Sequence, residues 1–226
     1  MNVKPEDYPK ALSHIKDKKG LVVLVTDLTD FPGSVWPDIF ELLGKNKSVI
    51  LVGNKVDLLP QDCHKYTVNI EKSMMQTFQQ KCKESNHEAT EIVDSILVSA
   101  RTGYNIEKLI SMVLKNWNEK QKHFGRNVYL VGTTNVGKSS IFNILLDSDL
   151  CDLKALNRIE KATIAPVPGT TLNLLKFPIL RPEPGQLNQR FSRLRDEKQV
   201  IEYMEKERIE NLRRTKSITV SIITDF

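Results

Sequence analysis

The sequence predicts an α/β fold built on a mainly parallel, doubly wound sheet, and three observations carry that expectation. Short apolar runs at 21–25, 48–52, 95–98 and 127–131 each end in a polar loop, as strands covered on both faces do. Helix-length segments separate these runs, which parallel pairing requires because each strand must be re-entered from the same end. The last run opens through Gly132-Thr133-Thr134-Asn135-Val136-Gly137-Lys138-Ser139 into a helix-like stretch at 140–146, the strand, glycine loop and helix order of a phosphate-binding loop.

The chemistry of that loop needs each residue type. Its two glycines, Gly132 and Gly137, let the backbone wrap an anion, and successive N–H groups converge where the helix begins. Lys138 supplies a mobile positive charge and Ser139 a hydroxyl for a magnesium ion. The candidate phosphate contacts are therefore Gly132, Asn135, Val136, Gly137, Lys138, Ser139 and Ser140.

Composition sets the bounds. At 226 residues with 40% hydrophobic content, the chain can bury the core of one α/β domain with residues left for appendages. Net charge is +5 and the pI is near 9.0, a mild basic excess that suits a polyanionic partner without identifying one. Cys63, Cys82 and Cys151 are odd in number and lack Cys-x-x-Cys spacing, so neither a disulfide framework nor a zinc site is indicated and a reducing compartment is expected. No apolar run approaches the roughly 20 residues of a membrane span. The N-terminal residues read as neither a signal peptide nor a transit peptide.

Taken in order, 10–18 is a short helical candidate ended by Gly20, and 21–25 is the first buried strand. The loop Leu28-Thr29-Asp30-Phe31-Pro32-Gly33-Ser34 leads to a helix expected at 37–43. Asp27 and Asp30 lie at the carboxyl end of a strand, where functional loops of α/β proteins sit, but turn-forming and capping roles are favoured for both. The second strand, 48–52, runs into Asn54-Lys55-Val56-Asp57. In that pattern a carboxylate at Asp57 accepts two N–H groups from guanine, Asn54 reaches the base's other polar edge, and the Lys55 stem lies along the ring. Adenine offers an acceptor to the same carboxylate, and leaving buried polar groups unpaired costs roughly 1–3 kcal/mol per group.

A helix follows at 66–83, then a third strand at 95–98 that ends in Ser99-Ala100-Arg101, a small loop whose backbone N–H suits the guanine oxygen. Asn105 is expected to cap an amphipathic helix with Ile106, Leu109, Ile110, Val113, Leu114 and Trp117 on its apolar face. The basic residues from Lys115 to Arg126 allow RNA contact, although a solvated helix end is the favoured use. After the phosphate loop, Pro168-Gly169-Thr170-Thr171 precedes an edge-strand pattern at 172–179, where a GTPase keeps its first switch and a threonine completes the magnesium shell. From Arg181 a linker leads into a charge-laced helix at 191–216 and a tail.

The order is unusual, because the base-reading residues precede the phosphate loop. That is a circular permutation, which a parallel sheet tolerates because it is specified by strand neighbours. With Asp30-Phe31-Pro32-Gly33-Ser34 and the run 168–179, the permuted order resembles the mitochondrial nitric-oxide-associated GTPases and their bacterial YqeH-type relatives, over roughly residues 1–180. The resemblance implies a P-loop NTPase fold with a circularly permuted GTPase domain at 1–180, followed by the linker, helix and tail at 181–226. It implies GTP or GDP with Mg2+ as cofactors, hydrolysis served by Lys138 and Thr171, and Mg2+ on Ser139 and Thr171. A K+ ion on Asn135 is a further implication, with a simple loop-bracing role for that asparagine as the alternative. Also implied are a mitochondrial location, a role in ribosome assembly or translation, and ribosomal RNA or a ribosomal subunit as partner. The family's zinc region would lie upstream of residue 1, and no Asp-x-x-Gly follows the switch in this sequence, so a fragment is expected. Two hypotheses stand: a GTPase, or a nucleotide-holding module on ribosomal RNA with negligible hydrolysis.

Overall fold

Four parallel strands form one sheet in the order β3-β2-β1-β4. The computed structural model describes Lys16, residues 18–36, 39–44, 47–60, 66–84, 91–124 and 127–148, and scattered residues between 185 and 210. Strand β1 is Leu21–Asp27, β2 Ser48–Asn54, β3 Glu91–Leu97 and β4 Val128–Val131. Every residue of β1 and β2 is buried, as an unbroken β-branched run requires when helices cover both faces.

The faces separate by alternation. Val22, Leu24, Val49 and Leu51 pack with helices α1 (Ile39–Leu43) and α2 (Tyr66–Glu84). Leu21, Val23, Val25, Ile50 and Val52 pack with α3 (Ile106–Phe124) and α4 (Lys138–Asp147). On α3 the expected apolar face is in place, with Ile106, Leu109, Ile110, Val113 and Leu114 all buried.

Register is what positions the site. β1 and β2 pair level, from Leu21↔Ser48 to Asp27↔Asn54, so their carboxyl ends meet side by side. β4 pairs with β1 from Leu21↔Val128 to Leu24↔Val131, which delivers Gly132 beside Val25. The chain steps outward from β1 through β2 to β3, then returns to the far side of β1 as β4. The resulting reversal between β1 and β4 is the switch point at which open α/β sheets hold ligands.

The third strand begins four residues earlier than the pattern suggests, at Glu91 instead of 95. Its first half carries Glu91 and Asp94 and is only partly buried, so no apolar run marks it. Pairing with β2, through a register shift between Val49 and Ile50, extends it. Asn105 does precede α3, yet its side chain donates to the Leu97 carbonyl at 2.9 Å instead of accepting a helix N–H. Of the expected helix at 10–18 only Lys16, which is helical, and Lys18, which lies in a bend, are among the described residues, and the strand at 172–179 lies outside them entirely. The chain divides into two compact units, residues 1–59 with 67–181, and residues 60–66 with 182–226. In the second, the described residues between 185 and 210 are helical. No described helix is long and apolar enough to cross a membrane.

Under α2 the fully buried Phe78 meets Phe40 edge to face, ring centroids 5.1 Å apart at 73°. Phe78→Ala is expected to cost about 3–5 kcal/mol of unfolding free energy. Denaturant titration measures this, and a loss below about 1 kcal/mol would show that the pocket collapses around the smaller side chain.

Candidate functional site

The phosphate loop begins where β4 ends. Gly132, at φ 157, lies so close to β1 that a Cβ there would overlap the Val25 carbonyl oxygen, a backbone atom that cannot give way. Gly137, at φ 96, caps α4 in the left-handed region, and a Cβ there would collide with the Asn54 amide. Both glycines are therefore dictated by neighbouring chain as well as by the turn itself. Between them Asn135 also takes a left-handed φ of 61 and is exposed. Among the described residues, the N–H groups of Thr134 to Lys138 meet no acceptor, which leaves the helix start as a cluster of free donors fit for an anion.

Lys138 opens α4 and its ammonium folds back to donate to the Thr133 carbonyl. Burial pushes it down from 10.5 to about 8, since the charged form loses solvation. Ser139 and Ser140 are half-buried in the first turn of α4. Val136 is buried on the α3/α4 side.

The second loop follows β2. Asn54 is 2% exposed, and its amide is engaged at both ends: Nδ2 donates to the Val136 carbonyl at 2.8 Å, and Oδ1 accepts from the Ala100 N–H at 3.0 Å. It ties the phosphate loop, its own loop and the 99–101 loop into one assembly. Lys55 has a left-handed φ of 69 and begins a short 3-10 turn, Val56–Leu58. Asp57 is half-buried in that turn, and its carboxylate accepts no hydrogen bond from any described residue.

The 99–101 loop is set by the sheet, with Val98 N–H donating to Gly53 and Val56 N–H donating to Val98. Ser99 is fully buried and its hydroxyl accepts the Thr102 N–H at 3.1 Å, so it shapes the turn from within. Ala100 spends its N–H on Asn54, and that donor must leave Asn54 to meet a base oxygen. Arg101 is exposed.

The loop after β1 joins the same assembly. Asp27 does cap, accepting the Thr29 N–H at 2.9 Å, but its other oxygen pairs with the Lys55 ammonium at 2.5 Å. Burial pushes the Asp27 carboxyl up, and the hydrogen bonds from Lys55 and Thr29, with the Lys55 charge, outweigh it and hold the group below its usual 3.8. The Ser34 hydroxyl accepts from the Asp27 N–H and donates to the Asp27 carbonyl. The Thr133 hydroxyl in turn donates to the Ser34 carbonyl at 2.8 Å.

Of the residues singled out in the sequence, Asn54, Lys55, Ala100, Gly132, Val136, Gly137 and Lys138 thus fall within one connected cluster. Thr170 and Thr171 lie outside the described residues. Sequence reasoning missed the wider parts of Asp27, Ser34 and Thr133. The available signal was that Asp27 ends its strand just as Asn54 ends the next.

A family model described as "50S ribosome-binding GTPase" matches residues 127–188, a segment that starts at the phosphate-loop strand. Human "Nitric oxide-associated protein 1" is 38% identical over 221 residues, covering 86% of this chain and 31% of that protein. "Uncharacterized protein YqeH" of Bacillus subtilis is 31% identical over 188 residues, covering 81% and 45%. Arabidopsis thaliana "NO-associated protein 1, chloroplastic/mitochondrial" is 30% identical over 180 residues, covering 77% and 29%. The chain therefore spans less than half the length of these relatives. A match over 86% of the chain takes in both the Asn54–Asp57 tetrad and the later phosphate loop in the same order. The chain is thus a circularly permuted GTPase similar to nitric oxide-associated protein 1 and YqeH.

Proposed function

We propose that the chain binds GTP and GDP in the crevice at the carboxyl ends of β4, β1 and β2 and hydrolyses GTP. The observation that carries this reading is the doubly bonded Asn54 amide, which holds the phosphate loop and the base-reading loops together as parts of one site. The free N–H groups of 134–138 and the Lys138 ammonium take the phosphates, and Asp57 reads guanine with the Lys55 stem along the ring. Ser139 fits magnesium by its hydroxyl at the helix start, and Thr171 is assigned to the same ion by sequence. When bound, magnesium neutralises charge on the β- and γ-phosphates.

The wider role follows the relatives' names. A "50S ribosome-binding GTPase" model supports a ribosomal subunit or its RNA as partner, and the "chloroplastic/mitochondrial" relative supports an organellar, here mitochondrial, location. Action in mitochondrial ribosome assembly or translation is the role proposed.

Asp57→Asn tests the base site: the amide offers a donor to the carbonyl that xanthine carries in place of guanine's amino group, so preference shifts from GTP toward XTP. Competition among GTP, XTP and ATP measures this, and an unchanged guanine preference removes Asp57 from the site.

Lys138 gives a pH test with a definite sign. Held near 8 without an anion, it is mostly neutral at higher pH, and a bound phosphate restores the charged form. GDP binding above pH 8 should therefore take up a proton, visible by calorimetry in buffers of different ionisation enthalpy. Lys138→Met should abolish the uptake, and a wild-type protein that takes up none refutes the assignment.

Asn135, exposed at the loop's left-handed turn, is proposed to offer its side-chain oxygen to K+, which offsets charge developing between the β- and γ-phosphates as an arginine finger does elsewhere. GTP hydrolysis should then run faster in potassium than in sodium at equal ionic strength, and Asn135→Ala should erase the difference. Equal rates in the two salts for the wild type leave Asn135 as a brace of the loop.

A further inference from the structure

The loop after β1 marks this chain by resemblance, yet the nucleotide chemistry above leaves it without a part. Asp27, at its head, is oriented by more than a cap requires. The N–H and hydroxyl of Thr29 both donate to Oδ1, at 2.9 and 2.7 Å, which leaves Oδ2 turned to the Lys55 ammonium, 2.5 Å away. The Ser34 hydroxyl clamps the Asp27 backbone from both sides, at 3.1 and 3.0 Å. Both halves of the residue are thus held.

At the other end, Lys55 sits at φ 69, a conformation that a residue with a Cβ adopts only where its surroundings over-determine it. The Leu58 N–H donates to the Lys55 carbonyl at 3.0 Å, and the ion pair holds the far end of the side chain. The pair is only partly shielded, with Lys55 30% and Asp27 12% exposed, so as a source of stability it is weak. What it does secure is the path of the four-carbon stem between a fixed backbone and a fixed ammonium.

We propose that Asp27 is a positioning residue of the nucleotide site, anchoring Lys55 so that its stem is already laid out to cover the guanine ring before nucleotide binds. The inference rests on the guanine-nucleotide reading given above. A lysine stem free in solution has to be ordered when the base arrives, and that entropy cost is removed from the binding step when Asp27 has ordered it during folding.

The test compares GDP with inorganic pyrophosphate, which engages the phosphate loop and has no base. Titration calorimetry is run on the 226-residue chain as wild type, Asp27→Asn, Lys55→Met and the double variant, with melting temperatures recorded for each. Asp27→Asn is expected to weaken GDP roughly ten-fold, the order for one long side chain that must be ordered on binding, and to leave pyrophosphate unchanged. In the Lys55→Met background the same substitution should cost GDP nothing further, because its route of action is gone. Thr29→Val, at an exposed position, loosens the carboxylate without removing it, and should give a smaller GDP loss with the same dependence on Lys55. This variant carries the comparison should Asp27→Asn not fold. Full GDP affinity in Asp27→Asn or in Thr29→Val overturns the proposal, as does an equal GDP loss in the Lys55→Met background or a parallel loss of pyrophosphate. A wild-type chain that binds pyrophosphate and no GDP overturns the guanine reading itself, an outcome visible before any variant is compared.

Discussion

The site depends on a single buried amide. Asn54 ends β2 with almost no exposure and joins Val136 of the phosphate loop to Ala100 of the loop after β3. A buried amide left unpaired costs on the order of 1–3 kcal/mol, so the three loops are bound to one geometry or that cost is incurred. The collision of a Cβ at Gly137 with the same amide shows how tightly the two loops are drawn together. Asparagine suits the task because it offers a donor and an acceptor on one short, planar group. Aspartate there could not donate to the Val136 carbonyl.

Around this brace the site collects local strain. Lys55 and Asn135 both carry side chains at positive φ, and each sits in a loop with a proposed ligand contact. Such conformations persist where the surroundings fix them. For Lys55 the fixing partners are visible in the Asp27 carboxylate and the turn bond from Leu58. The left-handed Asn135 lies between Gly132 and Gly137, so the phosphate loop curls and leaves its N–H groups turned away from helical partners. The half-buried Lys138 lies at the same loop: its lowered proton affinity reflects a cation partly withdrawn from water.

Permutation changes the chain order and leaves these relations intact. In this chain the strand that leads to the base-reading loop is made before the strand that leads to the phosphate loop, yet the sheet returns β4 to the far side of β1. The crevice at the reversal forms wherever the backbone is cut, because pairing depends on which strands lie side by side. The loop after β1 sits at that reversal, and its contacts run to both neighbours: Asp27 to Lys55 beyond β2, and Ser34 to Thr133 beyond β4.

The amino-acid sequence by itself determined the fold class, three of the four strands nearly to the residue, and the places of the two loops proposed to hold nucleotide. It did so because apolar runs, glycines and a four-residue polar tetrad are local signals whose meaning survives without neighbours. It understated β3, whose polar first half is recruited by pairing with β2 and carries no periodic mark of its own. It assigned Asn105 a capping bond that the structure directs to the Leu97 carbonyl, because an asparagine side chain reaches equally well in several directions and only the packed strand end selects one. The tertiary structure alone decided that Asn54 is a brace with both ends occupied, that the Ala100 N–H is already spent, and that Asp27 holds Lys55. Those are contacts between residues 28 to 82 positions apart, and they exist only because a level register brings the ends of β1 and β2 together and the return of β4 sets the phosphate loop beside them.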